Sequence, residues 1–133
     1  MQKTISIIIA IFNRKDELFE LLNSLIAQTD KNFEVIIVDD GSSVDLLPTV
    51  ETFKEMLEIQ YFKKTNSGPG LSRNYGAKRA KNDWLVFVDS DVIVEKDYIE
   101  NIKKNLESTD CAAFGGADKA HKGFNILQKA IIQ

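Results

Sequence analysis

Four short, largely apolar runs constrain this chain most: Ile5 to Phe12, rich in β-branched residues, Phe33 to Val38, Ile59 to Phe62 and Trp84 to Val88. Runs of this length read as buried strands, and they need not alternate with polar residues when both faces of a sheet are covered. Between them the period is helical. Leu18, Leu21, Leu22, Leu25 and Ile26 fall at i, i+3, i+4, i+7 and i+8, one apolar stripe. Leu46, Val50, Phe53 and Leu57 mark a second helix, with Pro48 in its first turn. A third runs from about Leu71 to Ala80, with Ser67 or Gly68 as cap and Pro69 near its first position. Strand and helix alternating through short connections favour parallel pairing and right-handed crossovers. The expected fold is therefore α/β, a Rossmann-like, mostly parallel sheet with flanking helices. Further on, Ile99, Ile102 and Leu106 predict a helix. Cys111 to Phe114 predict a fifth strand broken by Gly115-Gly116, and Phe124, Leu127 and Ile131 predict the start of another helix.

Composition narrows the function. The 133 residues suffice for one domain, 1–133, with a real core. A net charge of -3 gives no electrostatic case for nucleic acid. Cys111 is the only cysteine and His121 the only histidine, which excludes an internal disulfide and disfavours a zinc site. No run approaches the ~18–20 apolar residues of a transmembrane helix. Ile5 to Phe12 follows Met1-Gln2-Lys3 but leads straight into Asn13-Arg14-Lys15-Asp16 without a small-residue cleavage site, so it reads as a strand and not a signal peptide. A cytoplasmic location is the default, with the inner face of a membrane left open for a longer protein. The end, Ile126 to Gln133, lies inside an apolar pattern without a Gly or Pro stop. The expectation is a cut from a longer chain.

The chemistry gathers at predicted strand ends, where α/β sheets bind ligands. Asp89-Ser90-Asp91 follows the fourth strand. Two acids there are costly to bury unpaired, and a hard divalent cation offsets that cost. The alternative is a solvent-facing turn. Asp39-Asp40-Gly41 ends the second strand and, taken alone, reads first as a turn, a reading that loses ground beside Asp89-Ser90-Asp91. If the two strands are close, four carboxylates approach one crevice. Asn13, after the first strand, reads as a helix cap. From Ile59 to Asn82 the chain carries no acid, yet holds six of its 17 basic residues. Gly68-Pro69-Gly70 opens a helix whose free N–H groups and positive dipole end would welcome phosphate. Lys78, Arg79 and Lys81 read as a solvated face. Arg73, one turn inside, is the better ligand candidate.

Taken together, Ser6 to Arg14, Val35 to Ser42, Asn66-Ser67-Gly68 with Arg73-Asn74, and Val86 to Asp91 resemble the family 2 glycosyltransferases of the GT-A fold. The resemblance implies a nucleotide-sugar donor, most often a UDP-sugar, a glycan or lipid-linked acceptor, transfer with inversion, and Mn or Mg as cofactor. Carried over by position, the Ala10 backbone and Phe12 would line the nucleoside pocket, with Asn13 and Gly68 in the motifs around it. Asp40 would accept a hydrogen bond from uracil, with Asp39 beside it. Arg73 would approach the base or phosphates. Asp89 would face the ribose or sugar and stand beside the metal, and Asp91 would bind the metal. Two residues depart from the pattern: Ala10 replaces the usual Pro and Phe12 the usual Tyr. The family's general base would lie beyond Gln133, so this stretch is expected to bind donor without turnover.

Two rival readings differ in class. Asp89-Ser90-Asp91-Val92 also resembles the nucleophile loop of haloacid dehalogenase-type phosphatases. A non-catalytic nucleotide-binding or partner-binding module would use the same acids structurally.

Overall fold

The structure is a computed structural model and describes residues 4–108, 113–115 and 125–128. Its elements are β1 (Ile5–Ile11), α1 (Lys15–Ile26), β2 (Phe33–Asp39), α2 (Leu47–Phe53), β3 (Ile59–Lys63), α3 (Pro69–Arg79), β4 (Trp84–Phe87), α4 (Tyr98–Ser108), β5 (Ala113–Gly115) and β6 (Asn125–Gln128). One sheet runs in the order β3-β2-β1-β4-β6-β5. β1 to β4 are parallel, while β6 lies antiparallel to both β4 and β5. The expected α/β architecture is present.

Both faces of β1 and β2 are covered, which explains their largely apolar character, while the edge strand β3 is only partly buried. Ile7 and Ile9 of β1, with Val35 and Ile37 of β2, join Leu18, Leu21, Leu22 and Leu25 of α1 in the larger core. Val50 and Phe53 of α2 and Ile99, Ile102 and Leu106 of α4 complete it. On the other face Ile8, Ile36, Val38 and Leu85 pack against Ala77 of α3 and Ala80. α3 presses closely there. A Cβ on Gly76 would come 2.7 Å from Ile8 Cγ2 and 3.1 Å from Val38 Cγ2. Gly76→Val should therefore cost about 1–3 kcal/mol by overpacking. An unchanged urea midpoint would mean that α3 does not bear on the sheet.

Several boundaries differ from the sequence expectation. α3 begins at Pro69, before Leu71, and α2 ends at Phe53, before Leu57. β1 stops at Ile11, leaving Phe12 exposed. β5 spans Ala113–Gly115, with Gly115 as its last residue; Cys111 and Gly116 are outside the described residues. The expected helix around Leu127 is instead β6, with Leu127 paired to Leu85. Phe124 and Ile131 lie outside the described residues. Three apolar positions specify a helix weakly, and the free edge of β4 supplies hydrogen bonds that an extended segment can complete.

Candidate functional site

A cleft of about 450 Å³ opens at the carboxyl ends of the parallel strands. Ala10, Ile11 and Phe12 form its β1 wall, and Asp40 enters from the end of β2. Pro69 and Arg73 come from α3, Arg14 from the turn before α1, and Asp89, Ser90 and Asp91 from the loop after β4. β1 lies between β2 and β4, so the two acidic tips face one another across its end.

Asp40 and Asp39 have separate fates, because successive side chains of an extended chain point to opposite faces. Asp39 is fully buried and does not line the cleft. It accepts hydrogen bonds from the Ser42 N–H at 2.9 Å and from the Tyr61 hydroxyl. Burial, then this bond to Asp39, pushes the Tyr61 pKa up. Asp40 turns to the α3 side. Its Oδ1 accepts from Lys64 Nζ at 2.9 Å and the Ser67 N–H at 2.8 Å. Its Oδ2 accepts from the Gly68 N–H at 2.9 Å and Asn66 Nδ2 at 3.3 Å. The buried Ser72 hydroxyl, which has no hydrogen-bond partner of ordinary geometry, faces the same carboxylate. Burial alone would raise the Asp40 pKa, but Lys64, the two N–H groups and Ser72 outweigh it and hold the pKa below the usual value. The N–H groups of Ser67 and Gly68 are thus committed to Asp40. A phosphate at the start of α3 would therefore have to use other N–H groups than these two, and Gly68 does not line the cleft.

Asn13 is also corrected: it caps no helix. The N-cap of α1 is Arg14, without a side-chain cap bond. Asn13 sits at φ 54° in the left-handed region, which Asn tolerates better than most residues. Its N–H donates to Ser42 Oγ at 2.8 Å, and its Oδ1 accepts from the Ser43 and Val44 N–H groups at 2.8 and 3.3 Å. It clasps the β1 tip to the β2 tip. Gly41, at φ 81°, lets this loop pass where a Cβ would come 2.8 Å from the Asn66 nitrogen. Asn13→Gly keeps the backbone conformation and loses the clasp, whereas Asn13→Ala loses both. The expected costs are about 1 and 2 kcal/mol in urea unfolding. Equal, negligible costs would show that the clasp is slack.

The segment that follows Asp91 is held by Ser24 of α1 and by Gln28 and Thr29 just after that helix. Gln28 donates to the Glu95 carbonyl at 2.7 Å and accepts from the Ile99 N–H at 3.0 Å. The Thr29 N–H donates to the Lys96 carbonyl at 2.8 Å, and the Val94 N–H to Ser24 Oγ at 3.2 Å. Asp89 and Asp91 are exposed, and Arg73 Nη2 lies 3.6 Å from Asp89 Oδ1. Four carboxylates do not meet, since Asp39 points away from the cleft. Among the described residues no three acidic, His or Cys side chains form a ready metal cage. Two exposed carboxylates on one loop still suit Mg²⁺ or Mn²⁺, which takes one or two carboxylates and completes its shell with water and substrate phosphate.

Six of the expected residues therefore line one cleft: Ala10, Phe12, Asp40, Arg73, Asp89 and Asp91. Sequence reasoning missed Arg14, Ser90 and the lining role of Pro69. It also missed Lys64 and Tyr61, which fix the two acids of β2. Lys64 had one available signal, its place in the acid-free basic stretch just after a strand.

The family model for glycosyl transferase family 2 matches residues 6–131. The chain belongs to glycosyl transferase family 2. A family member from Rickettsia felis, named an uncharacterized glycosyltransferase, is 40% identical over 106 residues, covering 80% of this chain and 18% of that protein. The crystal structure of S. aureus TarS 1-349 in complex with UDP superposes with a TM-score of 0.84 at 25% identity, over 97% of this chain and 48% of that one. The mannosyltransferase PcManGT from Pyrobaculum calidifontis, in complex with GDP-Man and Mn²⁺, gives a TM-score of 0.86 at 17% identity, over 96% and 45%. The last shares the fold. The chain thus spans less than half the length of each of these proteins. Membership of this family removes the phosphatase reading of Asp89-Ser90-Asp91. Among the described residues, no helix is long and apolar enough to cross a membrane.

Proposed function

We propose that this stretch is the donor-binding part of an inverting glycosyltransferase. The whole protein would move a sugar from a nucleotide sugar, a UDP-sugar, to a glycan or lipid-linked acceptor with the help of Mn²⁺ or Mg²⁺. The observation that carries this is the single cleft where Asp40, Arg73, Asp89 and Asp91 meet the β1 tip. Support comes from TarS, which binds UDP in the matching fold, and PcManGT, which binds GDP-Man with Mn²⁺.

In this reading the Ala10 backbone and the exposed Phe12 ring flank the nucleoside. Asp40 forms the base-recognising edge. Its carboxylate already takes four donors, so an imide N–H would reach it by displacing Asn66 Nδ2, the longest of them at 3.3 Å. Arg73 binds phosphate, and Asp91, with Asp89 beside it, holds the divalent cation. When bound, that cation supplies Lewis-acid stabilisation of the departing diphosphate. None of the cleft residues is assigned as the general base, and the reading commits this chain to donor binding.

Calorimetric titration of the chain with UDP, with and without Mn²⁺, tests the reading. Binding that strengthens with Mn²⁺ is expected. No binding in either condition would overturn it and favour a module whose acids are structural.

A further inference from the structure

Two arginines line the cleft, and each already faces a carboxylate. Arg14 Nη1 lies 3.4 Å from Glu17, which is no part of the cleft wall. Arg73 Nη2 lies 3.6 Å from Asp89, which is. The Arg73–Asp89 pair therefore joins the group assigned to phosphate with a group assigned to the cation. Both side chains are close to half exposed, at 44% and 46%. The contact is too long for a good hydrogen bond. Such a pair is weak and exchangeable. A guanidinium prefers the bidentate geometry that phosphate oxygens offer.

We propose that Arg73 is a coupling residue: it screens Asp89 while the cleft is free of nucleotide and transfers to the diphosphate when donor binds, unmasking Asp89 for the divalent cation. This rests on the reading of the cleft given above. A positive charge beside Asp89 weakens the attraction for a second cation. Its transfer to phosphate removes that opposition, so nucleotide and cation favour one another beyond their direct attraction. Linkage requires the effect to be reciprocal. Asp91, for which no ion pair of this kind is seen among the described residues, stays open to the cation throughout.

The test is Mn²⁺ binding, followed by the electron paramagnetic resonance signal of free Mn²⁺, on the chain with and without saturating UDP. Arg73→Gln and Arg73→Lys are compared with the unaltered chain. Without UDP, Arg73→Gln should bind Mn²⁺ about three- to fivefold more tightly. Its affinity for UDP without metal should fall about tenfold. The two changes are opposite in sign, which a loss of structure would not produce. Arg73→Lys, which keeps the charge, should leave nucleotide-free Mn²⁺ affinity near that of the unaltered chain. If Arg73→Gln leaves that affinity unchanged or lowers it, while the unaltered chain binds Mn²⁺ with UDP, the coupling role is overturned and the donor site stands. If the unaltered chain binds Mn²⁺ in neither condition, the cation site itself fails and the coupling with it.

Discussion

Asp40→Ala is expected to lose about 2–4 kcal/mol of stability and all measurable UDP affinity. The loss exceeds that of one hydrogen bond because the carboxylate organises others. Without it, Lys64 keeps only the Thr65 carbonyl and Ser67 hydroxyl, and the Ser67 and Gly68 N–H groups at the start of α3 lose their acceptor. Much of the penalty is the stranded ammonium, so adding Lys64→Met should recover part of the stability without restoring UDP binding. Acid unfolding gives a second readout. The Asp40 pKa is lowered in the folded chain, so its contribution is complete above the unfolded value of about 3.9. It fades as pH falls through the lower folded value. The unaltered chain should lose this stability below about pH 4, and Asp40→Ala should show a shallower acid limb. Parallel acid limbs would remove Asp40 from this role.

Asp91→Asn should leave the fold intact, because the side chain is exposed. It should also abolish the part of UDP binding that depends on Mn²⁺. Losing an outer-shell partner of a ligand commonly costs 10–100-fold in metal affinity, so loss of a direct carboxylate ligand should cost at least about 100-fold. Calorimetry with and without Mn²⁺ separates the terms: metal-free UDP affinity stays and the metal increment vanishes. Equal increments in the variant and the unaltered chain would remove Asp91 from the metal site.

β1, β2 and β4 were legible because their buried residues leave largely continuous apolar runs, and the shorter, partly buried β3 because it falls between two helical periods. The cleft was legible in outline because Asp39-Asp40 and Asp89 follow such runs directly and Ala10 lies near the end of one. What escaped depends on partners distant in sequence. Asn13 is a cap-type residue just before a helix, and nothing local shows that the Ser43 and Val44 N–H groups claim its side chain. Asp39 and Asp40 are chemically identical neighbours. Only the pleat sends one to Tyr61 and the other to Lys64 and α3. Residues 125–128 have too few apolar positions to declare a period, and their pairing is decided by an edge some forty residues earlier. Lys64 looks like any basic residue after a strand until Asp40 is placed beside it.

The seating of β6 against β4 has a consequence for how the chain is made. β1 is synthesised before β2 and β4, which come to flank it, so growth of the sheet builds outward from a segment already present. β4 acquires its second neighbour only once residue 128 has been synthesised. At ~5–20 residues per second, the strand that leads into Asp89 and Asp91 waits a few seconds with one side unpaired. A nascent chain arrested before that point would have the β1 wall of the cleft and Asp40 already synthesised, with the loop of Asp89 and Asp91 following a strand open on one side.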